Sequence, residues 1–185
     1  MRTIFALTLS LFSLSVHAAP VVLTFEDAVV RGSPGPETIS YRGYSLSSEE
    51  AFATPTISPD PALLFCPGCS VTVREENDNP FSLSSFDFIS AGGTPTFTLT
   101  GGYAGGGTIT EEFFFTAGTW DSNWENTVLG SGWTNLEYVV FDVYIDDGFV
   151  SGLDNVALNA VPVPAAVWLL GSGLGLLGWM RRRTA

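Results

Sequence analysis

The chain has 185 residues, which is enough for one domain of ordinary size together with terminal processing segments. Acidic residues outnumber basic ones 19 to 7, every base is an arginine, and His17 is the only histidine. A chain without lysine has no P-loop. His17 lies in a segment that we expect to be cleaved, which leaves no histidine for a catalytic triad or for a zinc site built on histidines. The acidic excess also argues against nucleic-acid binding through a basic face.

Residues 1–18 have the pattern of a secretory signal peptide. Arg2 supplies a positive start, residues 4–16 are mostly apolar, and residues 16–18 offer a small-residue site for cleavage before Ala19. The alternative is an uncleaved anchor helix, but the apolar stretch is short for a membrane span. The sequence therefore predicts export through the Sec translocation machinery.

Residues 161–185 consist of three parts in a fixed order. A proline motif comes first, an uncharged apolar stretch occupies residues 165–180, and a triplet of Arg181, Arg182 and Arg183 follows. As a helix the apolar stretch measures roughly 24 Å, so it needs part of the proline motif to cross a bilayer core of about 30 Å. Arginine clusters stay on the cytoplasmic side of a membrane, which leaves the preceding domain outside.

This layout resembles the PEP-CTERM sorting signal of Gram-negative bacteria. The proline motif, in the Val-Pro-x-Pro-Ala-Ala variant, consists of Val161, Pro162, Val163, Pro164, Ala165 and Ala166. Val163 stands where the motif that names the signal has glutamate. The resemblance implies that an exosortase, an integral membrane enzyme, recognises and processes the tail of a precursor anchored transiently in the inner membrane. It also implies delivery to the cell surface or extracellular matrix of a bacterium that makes exopolysaccharide and biofilm. A plain C-terminal membrane anchor is the alternative.

Residues 19–160 form the predicted extracytoplasmic domain. They keep all 19 acids and three of the seven arginines, which gives this segment a formal charge of −16. Period-two alternation predicts strands at residues 21–26, 38–46, 70–74, 81–89, 96–100, 108–116, 137–145 and 153–159. Glycine pairs and triplets at 101–102 and 105–107 are among the predicted turns, and no long stretch has helical periodicity. We therefore expect an all-β fold, a single antiparallel β-sandwich with a jelly-roll-like topology.

Cys66 and Cys69 are the only cysteines, and Pro67 and Gly68 separate them. Exported proteins meet an oxidising compartment, and a Pro-Gly turn can bring the two sulfurs together, so the pair predicts a structural disulfide. A redox motif would need a neighbouring helix N-terminus to lower a thiol pKa, and the sequence predicts no helix there.

Acidic clusters at strand ends are the best chemical lead in the domain. Calcium takes about six to eight oxygen ligands from carboxylates, amides and carbonyls. The first predicted strand ends with Glu26, and the last contains Asp154 and Asn155. This pattern resembles calcium-containing carbohydrate-binding sandwiches, which implies one structural calcium ion held by Glu26 and Asp154. The Glu-Glu-Asn-Asp-Asn loop at residues 75–79 is a second candidate, and simple solvation of these acids is the alternative.

Trp120, Trp124 and Trp133 fall in one segment among several aspartate, asparagine and glutamate residues. Flat aromatic rings next to amides and carboxylates suit sugars, whose CH face stacks on the indole while their hydroxyls bond the polar groups. We therefore predict carbohydrate binding by at least one of these tryptophans. Packing in the core of the sandwich is the alternative.

The sequence contains no visible arrangement of a nucleophile with a base. The adjacent Glu111 and Glu112 would point to opposite faces of a strand, so they do not form a glycosidase pair. We therefore expect a non-catalytic surface or matrix protein, associated with exopolysaccharide and binding carbohydrate. A purely structural or protein-adhesive surface protein is one alternative, and a secreted glycan-active hydrolase is another.

Overall fold

The computed structural model describes residues 19–26, 36–49, 52–53, 62–65, 68–90, 96–116, 124–144 and 151–161. All of them belong to one compact unit, Ala19–Val161. The predicted signal peptide and the sorting signal beyond Val161 lie outside the described residues. Within the described ranges there is no helix long and apolar enough to cross a membrane.

The residues that the structure describes form twelve strands, so the prediction of an all-β domain is confirmed. Their bounds are β1 Val21–Leu23, β2 Glu37–Tyr41, β3 Tyr44–Ser48, β4 Phe52–Ala53, β5 Leu63–Phe65, β6 Ser70–Glu75, β7 Phe81–Ser90, β8 Thr96–Tyr103, β9 Thr108–Phe114, β10 Glu125–Val128, β11 Leu136–Tyr144 and β12 Ser151–Ala160.

The strands divide into two halves of one antiparallel network. The first half has the order β2-β3-β6-β11-β8-β9. The second has the order β4-β5-β12-β7-β10, and β1 pairs with β12 beyond the end of β5. Among the described residues, β11 and β7 are paired at one position, Leu136 with Phe81, and this pair joins the halves. The result is a β-sandwich, as the alternation of the sequence predicted.

Phenylalanine rings from both halves fill the space between them. Phe97 of β8 lies at the centre of this cluster, with its ring centroid 4.9 to 6.1 Å from those of five neighbours. The six members of the phenylalanine cluster are Phe86, Phe88, Phe97, Phe113, Phe115 and Phe141. Rings at these separations gain edge-to-face and offset contacts in addition to the burial of apolar area. The cluster therefore holds the two sheet halves against each other.

Two predicted boundaries were wrong, and each has a local reason. Residues 38–46 form two strands, because Arg42 and Gly43, at φ 50° and 85°, make a two-residue hairpin turn between β2 and β3. Gly101 and Gly102, predicted as a turn, lie within β8. A Cβ at Gly102 would overlap the ring of Tyr138, so the glycine keeps β8 regular beneath that ring.

The predicted turn at residues 105–107 is confirmed as the connection between β8 and β9, with Gly106 and Gly107 at φ 88° and 87°. Three strands had no predicted counterpart. β4 and β5 contain two and three residues, too few for a period to be read. β10 has the sequence ENTV, in which no apolar side chain alternates with a polar one.

Removing the central ring of the phenylalanine cluster should cost much of the stability of the domain. We expect Phe97→Ala to lower the free energy of unfolding by about 3–5 kcal/mol, because it leaves a cavity among five rings. Urea denaturation followed by tryptophan fluorescence measures this change. Phe114→Ala is the matched control, since its side chain is 77% exposed, and it should change stability by less than about 0.5 kcal/mol. Equal losses for both variants would contradict the assignment of this core.

Candidate functional site

On the outer surface of the second sheet half, an aromatic side chain packs against backbone that carries no side chain. Strand register places Gly152 of β12 beside Ile89 of β7, and Trp124 directly precedes β10 next to Ile89. A Cβ built on Gly152 would lie 2.9 Å from Ile89 Cγ2 and 3.2 Å from Trp124 Cη2. The absence of a side chain at Gly152 therefore lets the half-buried indole settle against the sheet.

A row of polar side chains lies on the same surface, two residues further along each strand. Register aligns Asp154, Asp87 and Asn126 across β12, β7 and β10. Asn126 Nδ2 donates to Asp87 Oδ1 at 2.6 Å, and Asn155 Nδ2 donates to Asp87 Oδ2 at 2.8 Å. Each oxygen of the Asp87 carboxylate therefore accepts from a different amide, which fixes both amides in place.

A bulge in β12 brings Asn155 into this row. Asp154 is opposite Asp87 and Ala157 is opposite Ser85, so two residues of β12 face one residue of β7. Asn155 takes up the extra length at φ 49°, in the left-handed region that asparagine tolerates better than most residues. Bulges of this kind redirect a side chain. Here Asn155 reaches both Asp87 and, at 3.3 Å, Asp154 Oδ2.

We call this surface the Trp124 face and define it by Trp124, Ile89, Asp87, Asn126 and Asn155. Its half-buried indole forms an apolar platform that packs over the buried Ile89, and the carboxylate and amides form a polar row beside it. Asn126 retains a second amide N–H and a carbonyl oxygen beyond the bond to Asp87, and Asn155 retains its carbonyl oxygen. The arrangement can hold a ligand that is flat and apolar on one side and carries hydroxyls at its rim.

The charge near the Trp124 face is negative. Arg42 and Arg74 are the only cationic side chains among the described residues, and both are engaged elsewhere. Arg42 donates to Val22 O at 2.7 Å, and Arg74 pairs with Glu137 at 3.3 Å. An anionic ligand would therefore meet Asp87 and Asp154 without a compensating cation from this part of the chain.

The structure separates the three candidate tryptophans. Trp124 lies on the outer surface, and Trp120 lies outside the described residues. Trp133 is 1% exposed, packs beside Gly101 and donates from Nε1 to Glu111 Oε2 at 3.1 Å. A ring that is buried on both faces has no face for a sugar, so Trp133 follows the core-packing alternative and not the predicted ligand-binding role.

The predicted calcium residues belong to neighbouring parts of the sheet, Glu26 after β1 and Asp154 within β12. Glu26 is exposed in the turn after β1, whose last residue Leu23 pairs with Val156 near Asp154. Asp154 is 7% exposed, and its Oδ2 accepts from Asn155. Within the described residues, no group of three or more aspartate, glutamate, histidine or cysteine side chains could hold a metal ion. Asp87, opposite Asp154 on β7, supplies a second carboxylate, and carboxylate oxygens are ligands that calcium accepts.

In the second candidate loop, Glu75 is engaged within the protein. Its carboxylate accepts from the backbone and side-chain nitrogens of both Asn77 and Asn79, at 2.8 to 3.2 Å. Burial of the carboxyl by itself raises its pKa, but these hydrogen bonds to the charged form outweigh that effect, so the pKa of Glu75 lies below its ordinary value. The carboxylate thus closes the loop between β6 and β7.

This loop predicts a specific dependence of stability on pH. Because the folded pKa of Glu75 is lowered, its contribution is present above the unfolded pKa of about 4.3 and is lost as pH falls through the folded pKa. We expect Glu75→Gln to lower the urea midpoint at pH 7, and the gap from the parent protein to shrink below about pH 4. Glu76→Gln, on the exposed neighbour, is the matched control and should show no such gap. A gap independent of pH would contradict this role for the charge.

Cys69 is 2% exposed and disulfide-bonded. Its predicted partner Cys66, the only other cysteine in the sequence, lies outside the described residues. Backbone hydrogen bonds from Gly68 N to Val143 O and from Val143 N to Cys69 O attach this segment to the end of β11. The two glutamates of β9 occupy opposite faces, as alternation predicts: Glu111 reaches Trp133, while Glu112 is opposite Thr98 on the outer surface.

The sequence did not identify Asp87, the central residue of the Trp124 face, as a site residue. Asp87 lies between Phe86 and Phe88 in β7, so alternation does place its side chain on the face opposite the core. Nothing in the sequence, however, indicates that β10 and β12 flank β7 and bring Asn126 and Asn155 to it. That proximity depends on strand order, which joins segments 39 and 68 residues apart from Asp87.

Comparisons with known proteins found similarity in structure only. No family model matches the chain, and no curated protein matches it. A family 29 carbohydrate-binding module from Piromyces equi is 8% identical, with a TM-score of 0.47, over 77% of this chain and 91% of that one. A family 11 carbohydrate-binding module from Clostridium thermocellum, in complex with a β-1,3-1,4-mixed-linked tetrasaccharide, is 12% identical, with a TM-score of 0.41, over 70% and 98%. These values are too low to assign a ligand, a site residue or a family to this chain.

Proposed function

We propose that this protein is an exported, non-catalytic carbohydrate-binding protein of the cell surface or extracellular matrix. Its jelly-roll-like sandwich holds exopolysaccharide at the Trp124 face. The observation that carries the proposal is the position of the half-buried Trp124 indole next to the hydrogen-bonded row of Asp87, Asn126 and Asn155. An apolar platform with a few fixed polar groups is the usual composition of a small-ligand site.

Each part of the face has a counterpart in a sugar ring. The CH groups of the ring lie against the indole of Trp124, where dispersion and the loss of water favour contact. Hydroxyls at the rim of the ring donate to Asp87 or bond the amide of Asn126. Because Asp87 already holds both amides through its two oxygens, these groups need little reordering when a sugar arrives, and preorganisation of this kind favours affinity.

The negative charge of the domain favours neutral polysaccharides over anionic ones. The segment at residues 19–160 has a formal charge of −16, and the arginines in its described part are paired away from the site. A uronic acid polymer would be repelled, whereas a neutral polymer would not. We therefore expect the ligand to be a neutral polysaccharide. The calcium ion predicted at Glu26 and Asp154 belongs to this proposal as a structural ion beside the site.

Replacement of Trp124 tests the site directly. In calorimetric titration of the full chain with the neutral hexasaccharides cellohexaose and laminarihexaose, we expect Trp124→Ala to weaken binding at this site at least tenfold. The reason is that loss of the ring removes more than about 1.4 kcal/mol of contact. Asn126→Ala should cause a smaller loss, since it removes one polar partner. Repetition of the titration in EDTA measures the contribution of calcium.

Val128→Ala is the matched control, because Val128 is 76% exposed on the same strand but lies beyond the polar row. Its affinity should equal that of the parent protein. Unchanged affinity of Trp124→Ala, with binding intact in the parent protein, would refute the Trp124 face as the site. No binding of any neutral glycan by the folded parent would favour a structural or protein-adhesive role.

Sorting is part of the same proposal. The support is the tripartite tail, in which the proline motif at residues 161–166 precedes an apolar stretch and the triplet Arg181, Arg182 and Arg183. An exosortase-type enzyme would read these elements while the precursor is held in the inner membrane. The domain, which is followed directly by this tail, would then be delivered to the cell surface or matrix.

Replacement of the arginine triplet tests the sorting proposal. We expect a variant with alanine at Arg181, Arg182 and Arg183 to accumulate as an unprocessed, membrane-associated precursor, because the cytoplasmic anchor and recognition element are lost. Immunoblotting of membrane and surface fractions from the producing cells measures this. A variant with lysine at the same positions keeps the charge and serves as the control for topology. Normal processing and delivery of the alanine variant would contradict exosortase recognition.

A further inference from the structure

The outer surface of the first sheet half is covered with hydroxyl groups. One row crosses six strands in register, with Thr38, Ser47, Thr72, Val140, Thr100 and Thr110 as neighbours. Thr100 Oγ1 and Thr110 Oγ1 are 3.3 Å apart and share a hydrogen bond. We call this surface the hydroxyl face; its serines and threonines are Thr38, Ser40, Ser45, Ser47, Ser70, Thr72, Thr96, Thr98, Thr100, Thr108 and Thr110.

Charge is sparse on the hydroxyl face, although the domain as a whole is strongly acidic. The charged side chains on the outward surface of these strands are Asp142, Glu112, Arg74 and Glu137, and Arg74 is paired with Glu137. The Arg74 guanidinium also lies over the ring of Tyr138, 4.8 Å from its centroid. Three acids and one arginine give the described face a net charge of −2, within a segment that carries −16.

Two exposed aromatic rings stand at one end of this face. Register aligns Tyr144 of β11, Thr96 of β8 and Phe114 of β9 across three neighbouring strands. Tyr144 is 64% exposed and Phe114 is 77% exposed. Since adjacent strands are about 4.8 Å apart, the backbones that carry the two rings are about 9.6 Å apart, with Thr96 on the strand between them. This spacing is similar to that of alternate sugar units in an extended β-linked chain.

We propose that the hydroxyl face is a second glycan-binding surface, and that its occupant is a neutral, extended polysaccharide chain. Phe114 and Tyr144 stack on alternate sugar rings, while the threonine rows donate to and accept from the sugar hydroxyls. Four charged side chains over six strands leave most of the face uncharged, which suits a polymer without charge. A protein partner, including a second copy of this chain, fits less well, because serine is depleted in the centres of protein interfaces.

The two glycan surfaces lie on opposite outer faces of the sandwich. One molecule can therefore hold two polysaccharide chains at once, and a polymer with many such contacts becomes cross-linked by avidity. The identity of the ligand class rests on the proposed function, but the second surface shares no residue with the Trp124 face. The two proposals can consequently fail separately.

The test counts binding sites in the full chain with cellohexaose and laminarihexaose. Four proteins are titrated by calorimetry: the parent, Trp124→Ala, a double variant with Phe114→Ser and Tyr144→Ser, and the combination of all three changes. We expect two sites in the parent, one in each of the two variants and none in the combination. At the second site the double variant should lose affinity at least tenfold. Val128→Ser, which removes an equally exposed apolar side chain from the other sheet half, is the control and should keep both sites.

The remaining outcomes separate the two proposals. One site in the parent, lost with Trp124→Ala and kept by the double variant, would overturn the second surface and leave the proposed site intact. One site lost only in the double variant would support the second surface and overturn the Trp124 face. Analytical ultracentrifugation without sugar checks self-association. A dimer that the double variant abolishes, without any change in glycan binding, would assign these rings to a second copy of the chain and overturn the proposal.

Discussion

The packing of phenylalanine rings between the two sheet halves is the interaction on which the rest of this structure depends. In the described residues the halves are paired at one position, Leu136 with Phe81, so the backbone ladder by itself holds them weakly. Phe97 and five neighbouring phenylalanines pack in the space between the halves, and the pairs Phe25–Tyr41 and Tyr44–Phe81 add ring contacts elsewhere. Because side chains alternate along a strand, each residue that enters this cluster leaves its neighbours on an outer surface. The core therefore determines what both outer surfaces display.

The two outer surfaces differ in the regularity of their strands. On the second sheet half, two features break the regular pattern. A bulge turns Asn155 toward Asp87, and the absence of a side chain at Gly152 makes room for Trp124 beside this polar row. On the first half, hydroxyl side chains repeat across six strands, and the one register shift among these pairings lies between Leu136 and Tyr138 of β11. An irregular surface offers a local site with fixed partners, whereas a regular one offers an extended surface to a polymer.

Under both proposals, electrostatics favours the same class of ligand. Residues 19–160 contain 19 acids against three arginines, and the two arginines that are described each hold an aromatic ring and a second partner. No cation is left in the described part of the chain to attract an anionic polymer. The negative field keeps anionic chains away, so dispersion at aromatic rings and hydrogen bonds to hydroxyls are the interactions that remain for a glycan.

The sequence by itself determined the all-β class, most long strands and their buried faces, because a period of two residues is a local property of the chain. The Phe-Asp-Phe pattern around Asp87 and the alternation of Thr96, Thr98 and Thr100 with apolar residues were visible without a structure. Only the tertiary structure decided that Trp133 is buried while Trp124 lies outside, and that β10 and β12 flank Asp87. Strand order and the positions of bulges determine these outcomes. Both depend on free-energy differences between alternative packings of the whole domain, and no short stretch of sequence contains that information.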